Sequence, residues 1–253
     1  MSSFTDRTAL ITGAASGIGL AVARHLAAHG VARLVLVDRD ADALAAAAAE
    51  LHVSVAAHPG DVTDEAFWGA LQPALRDLDI AVVNAGVAGG GRLAELDYAE
   101  WRRILSVNLD GAFLTLRAAM RALEPRGGAI VVTGSVAGLK PEPGNGPYAA
   151  SKAALHQLAR VAAKEGAPHR VRVNVIAPGG VVTPIWRTMP FFEALVAEHG
   201  SEDAAFAALA GFATPLGRYA TAEEVAAQIG FLLSDACATV TGSILTSDGG
   251  YSL

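Results

Sequence analysis

The chain holds one cysteine, Cys237, among its 253 residues. A lone thiol cannot close an internal disulfide, so no cystine framework supports the fold, and a reducing compartment suits it. Charge is sparse as well. Charged residues make up 17%, the net charge is −6, and no basic cluster stands out. That argues against a nucleic-acid partner, whose binder would need a basic face. No uninterrupted apolar run approaches the roughly 18 residues of a membrane-spanning helix. The opening Met1–Arg7 lacks a cationic stretch leading into an apolar one, so no secretory leader is expected. The 27 glycines and 11 prolines follow no collagen-like period. These absences leave a cytoplasmic globular protein as the expectation.

What is present is apolar: 52% of the residues, ample for a large core and far too many for a disordered chain. Short β-branched runs occur at Thr8–Thr12, Arg33–Val37, Val53–Ala57, Ile80–Asn84, Ala129–Thr133, Val171–Ile176 and Ser243–Thr246. Most are nearly continuous apolar stretches, the pattern of strands buried on both faces of a parallel sheet. Segments with helical spacing lie between them: Gly17–His29, Ala41–Leu51, Asp64–Arg76, Tyr98–Leu123, Tyr148–Gly166 and Thr221–Leu233. In the first, Ile18, Val22 and Leu26 repeat every fourth residue. The alternation predicts an α/β fold, a Rossmann-like doubly wound sheet of seven mostly parallel strands with helices on both faces. No linker, charge block or long repeat divides the chain, so residues 1–253 read as one domain. Residues 184–219 carry no strand pattern and read as an excursion from the sheet.

The first strand runs into Thr12-Gly13-Ala14-Ala15-Ser16-Gly17-Ile18-Gly19, which opens a helix. Gly13 permits a tight turn, Gly17 lets a pyrophosphate approach the backbone, and Gly19 lets helix and strand pack closely. The helix N-terminus offers free N–H groups and partial positive charge to phosphates. A glycine turn with no ligand is the competing reading. Asp38 weighs against it: it ends the second strand nineteen residues after Gly19, the spacing of an acid on an adenosine ribose. A carboxylate there accepts from a 2′-hydroxyl and repels a 2′-phosphate, so NAD is expected over NADP. Arg39, next to it, could pair with a phosphate and pulls the other way.

Tyr148-Ala149-Ala150-Ser151-Lys152 opens another helix, with Tyr148 and Lys152 one turn apart on one face. A free tyrosine, with pKa near 10, is a poor base at neutrality. A cation about 4 Å away would lower that by about three units at an effective dielectric of ~20. An exposed Tyr–Lys pair with no chemical role is the bland alternative. Ser135, closing the run Val132-Thr133-Gly134-Ser135, and Asn84-Ala85-Gly86 both end strands at the edge where open α/β sheets bind ligands. Asn108 sits inside a helical segment that its type does not favour.

This ordered set resembles the classical short-chain dehydrogenase/reductase family, and the match spans essentially the whole chain. It comprises the loop Thr12–Gly19, Asp61 in Gly60-Asp61-Val62, Asn84-Ala85-Gly86, Asn108, Ser135, Tyr148 with Lys152, and Pro178-Gly179 with Thr183. The resemblance implies NAD-dependent transfer of a hydride between the cofactor and a secondary alcohol or ketone. Tyr148 would be the base for oxidation and the acid for reduction. Ser135 would hold the substrate oxygen, and Lys152 would lower the tyrosine pKa and bind the nicotinamide ribose. Asn108 would hold a helix irregularity whose carbonyl anchors a water. Gly13, Ser16, Gly17, Ile18, Gly19, Asp38 and Arg39 would meet the phosphates and the adenosine ribose. Asp61 and Val62 would face the adenine, and Asn84, Ala85 and Gly86 the adenosine side. Pro178, Gly179, Val181 and Thr183 would position the nicotinamide. Members of the family are often tetramers, which implies a homotetramer built on Tyr98–Leu123, Tyr148–Gly166 and the end Ser243–Leu253. One departure is Val83, where many members carry a second asparagine before Asn84.

Other readings are weaker. His25 and His29 lack a third ligand, so no metal site is expected. Cys237 reads as a packing residue. A Ser135/His156 hydrolase lacks the G-x-S-x-G elbow. Six aromatics fall in the excursion: Trp186, Phe191, Phe192, Phe206, Phe212 and Tyr219. They read either as local core or as an apolar lid, and the lid implies an apolar or cyclic small-molecule substrate. The pocket rim is expected at the turn-rich Pro141–Pro147. A catalytically silent NAD sensor or scaffold is the alternative function, and turnover separates the two.

Overall fold

The computed structural model describes residues 3–253, apart from the side chains of Pro190, Phe212 and Ala213. Seven strands form one sheet: β1 (Thr8–Thr12), β2 (Arg33–Asp38), β3 (Ser54–Pro59), β4 (Ile80–Val83), β5 (Gly128–Thr133), β6 (Val171–Pro178) and β9 (Ile244–Ser247). Their order is β3-β2-β1-β4-β5-β6-β9, and every pairing is parallel. Successive residues of a strand face opposite sides, which divides the core in two. Leu10, Val35, Val83, Val132 and Val173 face one way, and pack with Leu114, Leu116 and Leu155. Ile11, Leu34, Leu36, Val82 and Val131 face the other, and pack with Val22, Leu26, Val225 and Ile229. Each such side chain, fully removed from water, contributes about 1.5–3 kcal/mol.

The helices are α1 (Gly17–Ala28), α2 (Ala41–Ala49), α3 (Glu65–Leu71), α4 (Tyr98–Leu105), α5 (Ala112–Leu123), α6 (Gly146–Gly166), α7 (Pro190–His199), α8 (Glu202–Ala213) and α9 (Ala222–Leu233). Three differ from the periodicity. The segment expected to end at Arg76 stops being α-helical after Leu71, because Pro73 sits in a tighter turn, Gln72–Leu75, and lacks the N–H an α-helix needs. The helix expected at Tyr148 starts at Gly146, with Pro147 in its first turn. The apparently continuous helix Tyr98–Leu123 is interrupted by a π-helical segment, Ser106–Gly111. Periodicity cannot register that widened turn, because the flanking helices keep one buried face.

The excursion also gains elements. Two short parallel strands, β7 (Val181–Val182) and β8 (Ala220–Thr221), pair at its base. Thr221 then caps α9 in a reciprocal box with Glu224, and Arg218 clasps the same carboxylate at 2.6 Å. Two-residue strands are too short to show a period. Together they tie the two ends of the α7–α8 excursion to each other.

Candidate active site

Strand order reverses between β1 and β4, and a cleft opens there above the strands' carboxyl ends. A cavity of about 790 Å³ occupies it. That is the size of a site for a ligand as large as a dinucleotide fragment and its substrate. Gly13, Ser16, Gly17, Ile18, Asp38, Arg39, Asp61, Val62, Asn84, Ala85 and Gly86 line one part. Ser135, Tyr148, Lys152, Pro178, Gly179, Val181 and Thr183 line the rest. Two expected residues stand behind this wall. Gly19 is buried, and a Cβ there would collide with the Gly13 carbonyl, so its work is packing rather than contact. Asn108 is fully buried beneath Gly86.

The phosphate end fits an anionic cofactor. Gly13 and Gly17 adopt φ of 66° and 52°, which a side chain would strain. Ser16 caps α1 without a side-chain bond, and no acid stands in the first turn. The N-terminal amides and the positive helix end therefore meet the cavity with no acid in their own first turn. Asp38 accepts from Ala15 N at 3.0 Å and from Asp40 N at 3.1 Å, which orients its carboxylate. Thr12 ends β1 at the head of this loop. Its hydroxyl accepts from Asn84 N at 3.0 Å and Ala85 N at 3.2 Å, and Asn84 Nδ2 donates back to the Thr12 carbonyl at 3.0 Å. This lattice locks β1 to β4 at the switch point.

The chemical end is assembled from β5, the π segment and α6. Asn108 turns its amide outward from its own helix: Oδ1 accepts from Val87 N at 2.8 Å, and Nδ2 donates to Val87 O at 3.0 Å. Nδ2 also reaches Ser151 Oγ at 3.3 Å, whose hydroxyl donates to the Tyr148 carbonyl at 2.7 Å. The π segment is thus pinned to the loop after β4 and to the first turn of α6. Lys152 Nζ is buried and donates to the Thr133 carbonyl at 2.9 Å. Burial lowers its pKa to about 8.

Lys152 does not by itself bring the phenol down. Its ammonium lies 5.6 Å from the Tyr148 ring centre and donates to Thr133. Burial pushes the phenol up, and Ser135 alone pulls it down. Without a cofactor, desolvation wins.

The rest of the cavity lining differs in character. Trp186, Met189 and Tyr219 line the cavity from the excursion. Phe192 and Phe206 turn away into a small core of their own, and Phe191 is half exposed. Trp186 and Tyr219 thus stand at the cavity, whereas Phe192 and Phe206 are local core; the side chain of Phe212 lies outside those described. Other lining residues are polar. Lys140 Nζ donates to the Tyr251 carbonyl at 2.8 Å, and Tyr251 Oη donates to Glu142 Oε1 at 2.5 Å. All three line the cavity, so the chain's end contributes to the rim.

A family model described as enoyl-(acyl carrier protein) reductase matches residues 13–252. A galactitol 2-dehydrogenase (L-tagatose-forming) of Cereibacter sphaeroides is 43% identical, over 97% of this chain and 94% of its own. Among solved structures, L-sorbose reductase from Gluconobacter frateurii complexed with NADPH and L-sorbose superposes with a TM-score of 0.90 at 30% identity, covering 98% of this chain and 97% of that one. An NAD+-bound xylitol dehydrogenase gives 0.88 at 31% identity, covering 98% and 99%. The chain belongs to the short-chain dehydrogenase/reductase family and is an oxidoreductase of the CH–OH group that uses a nicotinamide cofactor.

Proposed function

We propose that this chain is an NAD-dependent enzyme that interconverts a secondary alcohol and its ketone. The observation that carries it is the convergence of Ser135, Tyr148 and Lys152 on the cavity that Asp38 and the α1 N-terminus also line. Bound cofactor supplies the hydride acceptor and a positive ring. In oxidation the alcohol O–H proton passes to the ionised Tyr148 oxygen while its C–H hydrogen leaves as hydride, giving a ketone. Reduction reverses both transfers. Ser135 holds the substrate oxygen as charge develops on it. Lys152 binds the nicotinamide ribose, and Asn108 keeps the π segment widened so that its backbone carbonyl holds a relay water. Asp61 faces the adenine, and Pro178 to Thr183 position the nicotinamide.

Asp38 supports NAD over NADP, against the charge of exposed Arg39. A lining that is both apolar, at Trp186 and Met189, and polar, at Lys140, Glu142 and Tyr251, supports a ring or chain that carries further hydroxyl or carboxyl groups, rather than a wholly apolar substrate. Half-exposed Phe113 on α5 and Val161 on α6 support a homotetramer.

The test is initial rates of NADH and NADPH formation on polyols, substituted cyclohexanols and aliphatic secondary alcohols. Because the phenol is pushed up, oxidation, which needs the ionised form, should rise with pH beyond neutrality, and reduction should fall. Tyr148→Phe should lose about 10²–10⁴-fold in kcat with the Kd for NADH unchanged. NADH binding with no turnover on any of these would favour the sensor reading.

A further inference from the structure

His156 follows Lys152 by one turn of α6 and is 3% exposed, yet the reaction proposed above makes no use of it. Its ring does not approach the Ser135 hydroxyl as a hydrolase base would. Nε2 instead accepts a hydrogen bond from the Ser135 backbone N–H, at 3.3 Å. Nδ1 is buried with no partner among the described residues. The slot that holds the ring is lined by glycine on either side of Ser135. A Cβ at Gly134 would collide with Nε2, and one at Gly138 would lie 2.8 Å from Cε1. The chain after β5 thus gives up two side chains to admit this imidazole.

Only one protonation state serves that contact. Nε2 must be bare to accept, so the proton of the neutral ring sits on Nδ1. An imidazolium would point N–H at N–H. Lys152 and Arg160, on the same helix, are the charges acting on the ring, and both oppose its protonation. The loop 134–138 packed on it carries no charged residue. Burial and these two cations lower the His156 pKa to about 4, well below the ordinary 6.5.

Ser135 itself is extended, at φ −168° and ψ 151°, and its Oγ accepts from Ala137 N at 3.1 Å. Its backbone is therefore held from behind by His156 and its side chain from the front by Ala137. We propose that His156 is a positioning residue: as a neutral acceptor of the Ser135 N–H, it fixes the serine backbone so that Oγ meets the substrate oxygen beside Tyr148. The role rests on the oxidoreductase reading above; the contact does not.

The first test is 15N NMR of the unmodified protein labelled at histidine. His156 should appear as the Nδ1–H tautomer and stay neutral down to about pH 4. An Nε2–H tautomer, or titration near 6.5, overturns the contact. The second test uses two variants. His156→Gln restores an acceptor near the Nε2 position, and His156→Leu fills the space without one. Ketone reduction by the Leu variant should lose at least about tenfold in kcat, with KM for substrate and the Kd for NADH within about twofold. The Gln variant should recover most of that loss. A fully active Leu variant, or an equal loss in both, overturns the positioning role alone. A wild type that binds NADH and reduces no ketone overturns the oxidoreductase reading and this role with it, whatever the tautomer.

Discussion

Asp38 and Lys152 each have their chemistry decided by a few neighbours. The Asp38 carboxylate is aimed by two backbone amides, from Ala15 and Asp40. Asp38→Asn keeps an oxygen for Ala15 N but removes the charge. Kd for NADH should rise about tenfold and that for NADPH should fall, since a hydrogen bond to a charged group is worth roughly 1.5–3 kcal/mol. Titration of both cofactors by fluorescence checks it; a wild type that binds NADPH as tightly as NADH refutes the NAD assignment. For Lys152, burial lowers the pKa from the ordinary 10.5 to about 8. The folded chain then holds that proton less tightly than the unfolded one, so this contribution to stability rises with pH from 8 to 10.5. At pH 7 the cost of the buried ammonium is fully present, up to about 3 kcal/mol. Lys152→Met removes it and leaves the Thr133 carbonyl unpaired, a loss of roughly 1–3 kcal/mol. The net expectation is an inactive protein whose Tm, without cofactor, is raised by a few degrees at pH 7. A fall in Tm would mean that the ammonium stabilises the fold, and would remove the case for a functional strain at this position.

At the scale of elements, the excursion 184–219 stands apart because its core is nearly its own. Trp186 is the hub: its ring lies 5.6 Å from Tyr219, 5.9 Å from both Phe192 and Phe206, and 6.2 Å from Phe191. Its indole N–H donates to the Val181 carbonyl at 2.8 Å, which ties the hub to β7. Trp186→Ala empties that centre while the two main cores stay intact. Such damage should stay local, since segments open with free energies well below the global one. Limited proteolysis should cut within 184–219 much faster, and KM for the alcohol should rise about tenfold, which is 1.4 kcal/mol. The global Tm should move by less than about 2 °C. A large global loss would show instead that α7 and α8 fold as one unit with the sheet. The π segment illustrates the opposite coupling, because Asn108 joins it at once to the loop after β4 and to α6.

For the whole molecule, the cavity at the strand-order reversal joins residues as far apart in sequence as Gly13 and Tyr251. A ligand there bridges both halves of the sheet and binds only the folded state. NADH at 100 times its Kd should add about 2.7 kcal/mol, or roughly 5–10 °C in Tm, and NADPH at the same concentration should add less. Equal shifts would mean that Asp38 does not discriminate. Much of this was legible in the residues themselves. The seven apolar runs are strands because a strand covered on both faces needs no alternation. The Gly13–Gly19 turn, Asp38 and the pair Tyr148/Lys152 could be read because their spacing is local, within one turn or one βα unit. Three-dimensional packing decided what spacing cannot encode. It broke the helix Tyr98–Leu123 at Asn108, whose amide partners lie some twenty residues away at Val87. It gave the Lys152 ammonium the Thr133 carbonyl as its hydrogen-bond acceptor, because one turn of helix brings two side chains near without choosing their hydrogen bonds. It separated Trp186 and Tyr219, at the cavity, from Phe192 and Phe206 in the excursion's own core. It also seated His156 behind Ser135, since which buried groups meet is set by how β5 and α6 pack, and that packing is the sum of contacts along the entire chain.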